Sequence, residues 1–274
     1  MRDAALLERL LRRDTRIVST ALAVISGLAW WYVIRLARDM DMGGMDMSGW
    51  RMASTGFGMV MAPAHVPWSR GEFVLMFAMW AVMMVGMMTP SAAPLVLLYG
   101  RVGRRAAAEG TPMAATGWFA GGYLAAWTLF ALVATIAQWA LDRAALLSAM
   151  MAAVSRPFGG AVLVLAGLYQ WSRLKDVCLA HCQTPIHFLQ RHGGFRRDVR
   201  GSFALGAHHG VYCVGCCWSL MALLFVGGVM SLTWIAGLSI LVLLEKILPA
   251  GRVLARTAGA ILVAGGVWWS LSGP

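Results

Sequence analysis

Charge is scarce in this chain. Of its 274 residues only 13% are charged and 12 are acidic, while 59% are hydrophobic. Soluble domains carry about 25% charged and about 45–50% apolar residues. A soluble core of this length could not enclose so much apolar surface, so lipid is the expected solvent. Mean hydropathy, at +0.69, agrees. A Walker A sequence and an Asp-Lys-Thr-Gly phosphorylation motif are also missing, which argues against ATP-driven pumping by this chain alone. There is no repeat of roughly 34 or 40 residues. Cysteine is absent outside one 40-residue stretch that holds all five. No small-residue cleavage site follows Arg38, so the first apolar run reads as an uncleaved anchor rather than a signal peptide. The net charge of +11 suggests nucleic acid at first sight. The arginines, however, fall between apolar runs rather than along one face, so membrane topology accounts for them and no nucleic acid is expected.

Seven apolar runs stand out, at 17–35, 73–98, 116–141, 157–172, 202–227, 229–247 and 255–272. Each approaches the roughly 20 residues that a bilayer core demands. The fourth is short and is expected to continue as helix past Trp171. The fifth and sixth are nearly contiguous and should form a tight hairpin around Gly227 and Gly228. The expected fold is all-α, a transmembrane bundle of about seven spans forming a single membrane domain over 1–274. Of the 23 lysines and arginines, 17 fall in the tail, the 99–115 and 173–201 loops and the sixth-to-seventh connection. All four regions lie on one side of a seven-span path. The N-terminus is therefore expected in the cytoplasm and the C-terminus outside. Within this scheme 1–16 is a basic cytoplasmic tail and 38–72 a Met/Asp-rich extracytoplasmic loop. The segment 173–201 is a cytoplasmic Cys/His loop, and 202–248 a hairpin carrying a second Cys/His cluster.

The first cluster is Cys178-Leu-Ala-His181-Cys182. In a helix these three side chains stand at i, i+3 and i+4 on one face. Thr184-Pro185 then reads as the cap and first turn of a short interfacial helix ending at Gly193-Gly194. The second cluster, inside the fifth run, is His208-His209-Gly-Val-Tyr-Cys213-Val-Gly-Cys216-Cys217. His209, Cys213 and Cys216 or Cys217 again share a face. At about 1.5 Å per residue, Cys213–Cys217 lie roughly 17–22 Å in from residue 202, near the bilayer midplane. A single buried cysteine is usually a small hydrophobe. Five in two helical-face clusters with histidines, inside a membrane where polar groups need a reason, point to metal or thiol chemistry. Thiolate and imidazole suit Cu(I) or Zn(II), and added thioethers favour Cu(I).

Methionine is abundant, with 19 residues. Met40, Met42, Met45 and Met47 lie in a loop among Asp and Gly, which could not pack as a core. Thioethers there would capture Cu(I) outside the cytoplasm, where thiols risk oxidation. Met76, Met79, Met83 and Met87 form a stripe along the second run, with Met84 and Met88 beside it. A core-filling role and a metal pathway both fit them. Pro90 and Pro94 are expected to disrupt the helix just beyond. Glu245 reads as a snorkelling ion pair with Lys246 or Arg252, or else as a ligand or proton-coupling group. His65, His187 and His192 have no evident partners.

From Lys175 to Lys246 the chain resembles the DUF2182 family of predicted metal-binding integral membrane proteins, which include membrane copper chaperones of bacterial tyrosinase operons. The residues that carry the resemblance are Lys175, Cys178-x-x-His181-Cys182-x-x-Pro185 and His209-Gly210-x-x-Cys213-x-Gly215-Cys216-Cys217-Trp218. They continue through Leu220-Met221, Phe225, Gly228, Met230, Trp234 and Glu245-Lys246, with Trp80, Met83, Met84, Pro90 and Pro94 upstream. Ser231 stands where the family pattern has Asn. The resemblance implies a multi-pass protein of the bacterial inner membrane that binds copper for delivery to a cuproenzyme.

The functional expectation is a non-enzymatic copper chaperone or transporter. Its ligands would be Cys178, His181, Cys182, His209, Cys213, Cys216 and Cys217. Secondary candidates are His208, Met83, Met84, Met87, Met88, Met40, Met42, Met45, Met47 and Glu245. Its partners would be lipid, the metal ion, and a cuproenzyme or periplasmic metallochaperone. Zinc is the other ion the ligands suit. The competing reading is a membrane thiol–disulfide oxidoreductase using the clustered cysteines. Haem attachment does not fit, because the order is C-x-x-H-C rather than C-x-x-C-H.

Overall fold

A computed structural model describes residues 2–40, 50–63, 66–110 and 115–272, without the side chains of 2–15, 107, 108 and 185. Met42, Met45, Met47 and His65 lie outside the described residues. The chain is predominantly helical. Its elements run α1 (Arg2–Asp39), β1 (Trp50–Ser54), β2 (Met59–Pro63), α2 (Arg70–Ala108), α3 (Thr116–Arg143), α4 (Arg156–Tyr169), α5 (Arg173–Gln183), α6 (Pro185–Arg191), α7 (Val199–Ala222), α8 (Leu224–Gly227), α9 (Leu232–Ile247) and α10 (Gly251–Leu271).

Among the described residues, five helical stretches are long and apolar enough to cross a membrane: Arg16–Asp39, Arg70–Ala106, Thr116–Arg143, Val199–Gly227 and Gly251–Leu271. The other two expected spans are shorter, 14 residues in α4 and 16 in α9. Helix α4 does not continue past Trp171 as expected. It ends at Tyr169, and the Ser172 hydroxyl accepts from the Lys175 backbone N–H at 3.1 Å. That side-chain cap starts a new helix rather than extending the old one. The all-α expectation also needs one correction, because β1 and β2 pair antiparallel with Trp50 opposite Pro63. Arg51 of this hairpin is ion-paired with Glu72 at the start of α2, and Tyr32 of α1 donates to Gly56 O at 2.7 Å. The hairpin is thus tied to both neighbouring helices.

Helix α2 runs unbroken through Pro90 and Pro94, against expectation. Pro90 has no N–H to give to the carbonyl four residues back, that of Gly86. Ser26 Oγ and Trp30 Nε1 of α1 each donate to that carbonyl at 3.2 Å instead. A neighbouring helix supplies the missing donors, which in lipid no water could. Among the described helices, α3 with α7 and α4 with α10 pack together most extensively. A Cβ on Gly122 or Gly206 would collide with backbone across the α3–α7 contact, so small residues set that approach. Met76, Met79, Met83, Met84, Met87 and Met88 are all buried in the hydrophobic core, where α2 packs against α1, α3 and α9.

Candidate metal centre

Helix α7 begins with Asp198, whose carboxylate accepts from Gly201 N–H at 2.6 Å. From that fixed start its helical repeat carries His209, Cys213, Cys216 and Cys217 into the interior, all buried. The hydroxyl-like role of a helix-bound thiol is visible in both later cysteines. Cys216 Sγ donates to Cys213 O at 3.1 Å and Cys217 Sγ to the same carbonyl at 2.9 Å.

Helix α5 lies against α7 and brings the first cluster to the second. Cys182 Sγ and Cys216 Sγ are 4.0 Å apart. Cys178 sits over Gly215, where any Cβ would come within 2.7 Å of its sulfur. His181 stacks on Tyr212 of α7, with ring centroids 4.2 Å apart and planes 2° from parallel, and its Nδ1 bonds Val177 O at 2.8 Å. That bond fixes the tautomer and leaves Nε2 with a lone pair. The expected short helix follows as α6, but Thr184 does not cap it. The Thr184 hydroxyl turns back to Ala180 O at 2.7 Å.

Two lysines enter this interior. Lys246 of α9 donates to Cys213 Sγ at 2.8 Å and to Ser91 Oγ of α2 at 3.1 Å. Tyr123 of α3 adds its hydroxyl 3.1 Å from the same sulfur while also donating to Met88 O at 3.2 Å. Cys213 is therefore the point where α2, α3, α7 and α9 meet. Lys175 of α5 pairs with Glu245 of α9 at 2.6 Å, both side chains fully buried. Glu245 is thus neither snorkelling nor paired with Lys246 or Arg252, because the α9 face that carries it looks inward onto α5. An ion pair this deep is strongly coupled to its surroundings, since neither charge has water to fall back on.

Several expected ligands stand apart. His208 is exposed, 5.7 Å between ring centroids from His192. His209 lies among Phe119, Tyr123 and Phe188, with its Nδ1 unpartnered among the described residues. Among the described residues no three histidine, cysteine or carboxylate side chains converge as a finished metal cage would. The cluster is a set of adjacent soft donor atoms held by hydrogen bonds. On α5, outside the membrane-length helices, burial pushes the Cys178 thiol up to about 11, with Cys216 adding to the rise and Lys175 opposing it. Hydrogen bonding with Cys213 and Cys216, then burial, pushes the Cys182 thiol well above its ordinary value.

The sequence reading gave no site role to Lys246, Lys175, Tyr123 or Ser91. Lys246, inside the sixth apolar run beside Glu245, was the available signal, because ionisable groups within such runs are rarely idle.

Helices long and apolar enough to cross a membrane surround a buried set of thiols and imidazoles. The chain belongs to the PpoB2 copper chaperone family, whose model matches residues 77–269. Its role is accordingly copper-related. The match spans most of α2 through α10 and carries the copper-chaperone part of the resemblance, not the DUF2182 name. No curated protein and no solved structure matches the chain.

Proposed function

We propose that this protein is a multi-pass copper chaperone of the bacterial inner membrane, passing Cu(I) along methionine, cysteine and histidine ligands. Cys182, Cys213, Cys216 and Cys217 form its central site, with Cys178, His181 and His209 as flanking donors. The observation that carries this reading is the approach of Cys182 to Cys216 at 4.0 Å, which joins two clusters that are 34 residues apart. Soft thiolates in a dry interior select Cu(I) over harder divalent ions. Two thiolates around Cu(I) leave one net negative charge, which the Lys246 ammonium beside Cys213 would offset. Ser91, already within reach of Lys246, offers that ammonium an alternative acceptor when copper takes the sulfur.

Seven helices cross the bilayer in this proposal, with the N-terminus in the cytoplasm and the C-terminus outside. Helices α4 and α9 rise only about 21 and 24 Å at 1.5 Å per residue. They would complete their crossings with the turns that follow them. The placement of 17 of 23 cationic side chains on one side supports this orientation. A cuproenzyme or a periplasmic metallochaperone is the expected client. Replacing Cys213, Cys216 and Cys217 with Ser and measuring metal in the purified protein by mass spectrometry tests the site. Copper content should fall to background. Unchanged copper sinks the assignment, and zinc in its place changes the ion.

The Cys182–Cys216 approach also favours a second reading, thiol–disulfide exchange. The two thiols would lose two electrons and two protons to a partner disulfide as their own S–S bond forms. Rapid alkylation of these thiols from outside intact cells would favour it over copper handling.

A further inference from the structure

A cavity of about 420 Å³ opens where the end of α1, the α3–α4 connection and the α8–α9 turn meet. Three methionines from these three separate segments line it: Met40, Met150 and Met230. Met40 and Met230 are buried, while Met150 is 41% exposed at the mouth. A methionine that merely fills a core leaves no space beside it. Here the space is many times the roughly 10–15 Å³ that one water needs. Among the described lining residues none carries a carboxylate, imidazole or thiol, and the one charged among them is the exposed Arg38. Hard divalent cations would find no anionic oxygen ligand among these residues. A soft monovalent ion would find thioethers, which bind without losing a proton.

The backbone holds two of the three methionines in a fixed relation. Val229 N–H donates to Met151 O at 3.4 Å, and Ala153 N–H to Phe225 O at 2.8 Å. Gly228, at φ +97, brings its backbone close enough to Met150 O that a Cβ would sit 3.4 Å away. Met151 itself adopts φ +56, a left-handed conformation uncommon for a side chain of this size. The turn leads the chain from Met150 at the cavity to Met151 in the core. There the Met151 sulfur accepts from Gln138 Nε2 at 3.1 Å, and Gln138 Oε1 accepts from Trp80 Nε1 at 2.6 Å. Trp80 lies on α2 between the buried methionines Met79 and Met83. Met151 is thus tied to the α2 methionine stripe through the Gln138 amide and the Trp80 indole.

We propose that this cavity is a loading site for Cu(I), held by the sulfurs of Met40, Met150 and Met230. The proposal rests on the copper-handling reading above but uses none of the cysteines.

The test is silver titration of the full chain in detergent with all five cysteines replaced by Ser, Ag(I) serving as an air-stable analogue of Cu(I). The Cys-free chain should still bind one equivalent, and M150L/M230L should weaken that binding at least tenfold. Leucine keeps the volume and removes the sulfur. In the wild-type chain, with its thiols intact, the same pair should lower bound silver by one equivalent, which covers a Cys-free chain that does not fold. Silver binding that M150L/M230L leaves unchanged overturns the proposal, and would place the ion on the 41–49 methionines instead. Equal competition by Zn(II) in the Cys-free chain overturns it as well. Loss of silver on Met replacement with native copper untouched by Cys213, Cys216 and Cys217 replacement would instead fail the central site alone.

Discussion

Lys246 sets its Nζ 2.8 Å from the sulfur of Cys213, although the two are 33 residues apart and lie on different helices. An ammonium in the interior needs acceptors, and the Cys213 sulfur and the Ser91 hydroxyl are the two within hydrogen-bond reach. Removing the ammonium should weaken the site it neutralises. A hydrogen bond to a charged group contributes about 1.5–3 kcal/mol, so K246M should reduce Cu(I) affinity about ten- to hundredfold. Competition with a chromophoric Cu(I) chelator reads this directly. Undiminished affinity would remove Lys246 from the site.

The Lys175–Glu245 pair, at 2.6 Å and fully buried, ties α5 to α9. Deleting one partner strands the other, at a cost of about 3–5 kcal/mol. K175M alone should therefore lower the unfolding midpoint in detergent markedly. K175M/E245M should recover most of the loss, since neither charge is then left buried. A double variant no more stable than the single one would contradict this account.

Cys182 and Cys216 are 4.0 Å apart between sulfurs, and a disulfide needs about 2.05 Å. Only a small shift of α5 on α7 separates the two states. Mild oxidation of the metal-free protein should link this pair first, seen by peptide mapping. Copper loading should suppress the link, because the ion occupies both sulfurs. Oxidation at the same rate with and without copper would argue against a shared site.

Burial raises the Cys178 thiol from its ordinary value of 9.0 to about 11. The folded chain thus favours the neutral thiol. The associated stability is complete below pH 9.0 and is lost as pH rises towards 11. Wild-type protein should lose stability across that window, and C178A should lose less. Alkylation of Cys178 should likewise be slow at pH 7 and quicken as the pH approaches 11.

Much of the fold could be read from the sequence, because long apolar runs have few alternatives to spanning a bilayer. Among the described residues, five of the seven runs became helices of membrane length, while 157–172 and 229–247 became shorter ones. The shared faces of Cys178, His181 and Cys182, and of His209 and Cys213, also follow from helical spacing alone. Other features depended on partners that a linear reading does not weigh. Pro90 was expected to disrupt α2, but Ser26 and Trp30 of α1 supply donors to the carbonyl it leaves free. The Ser172 cap restarted the chain as α5 where continuous helix was expected. The β1–β2 hairpin gave no alternating pattern strong enough to separate it from a Met-rich loop.

What the sequence determined by itself was the long apolar helices and the kind of side-chain atom on each helical face. Those properties are set by composition and by a spacing of three or four residues. Only the tertiary structure decided which faces meet. Cys182 reaches Cys216, Lys246 reaches Cys213, and Glu245 turns from its sequence neighbours to Lys175. Each of these pairings joins different helices, so it depends on how closely those helices pack, and no rule of local spacing contains that distance.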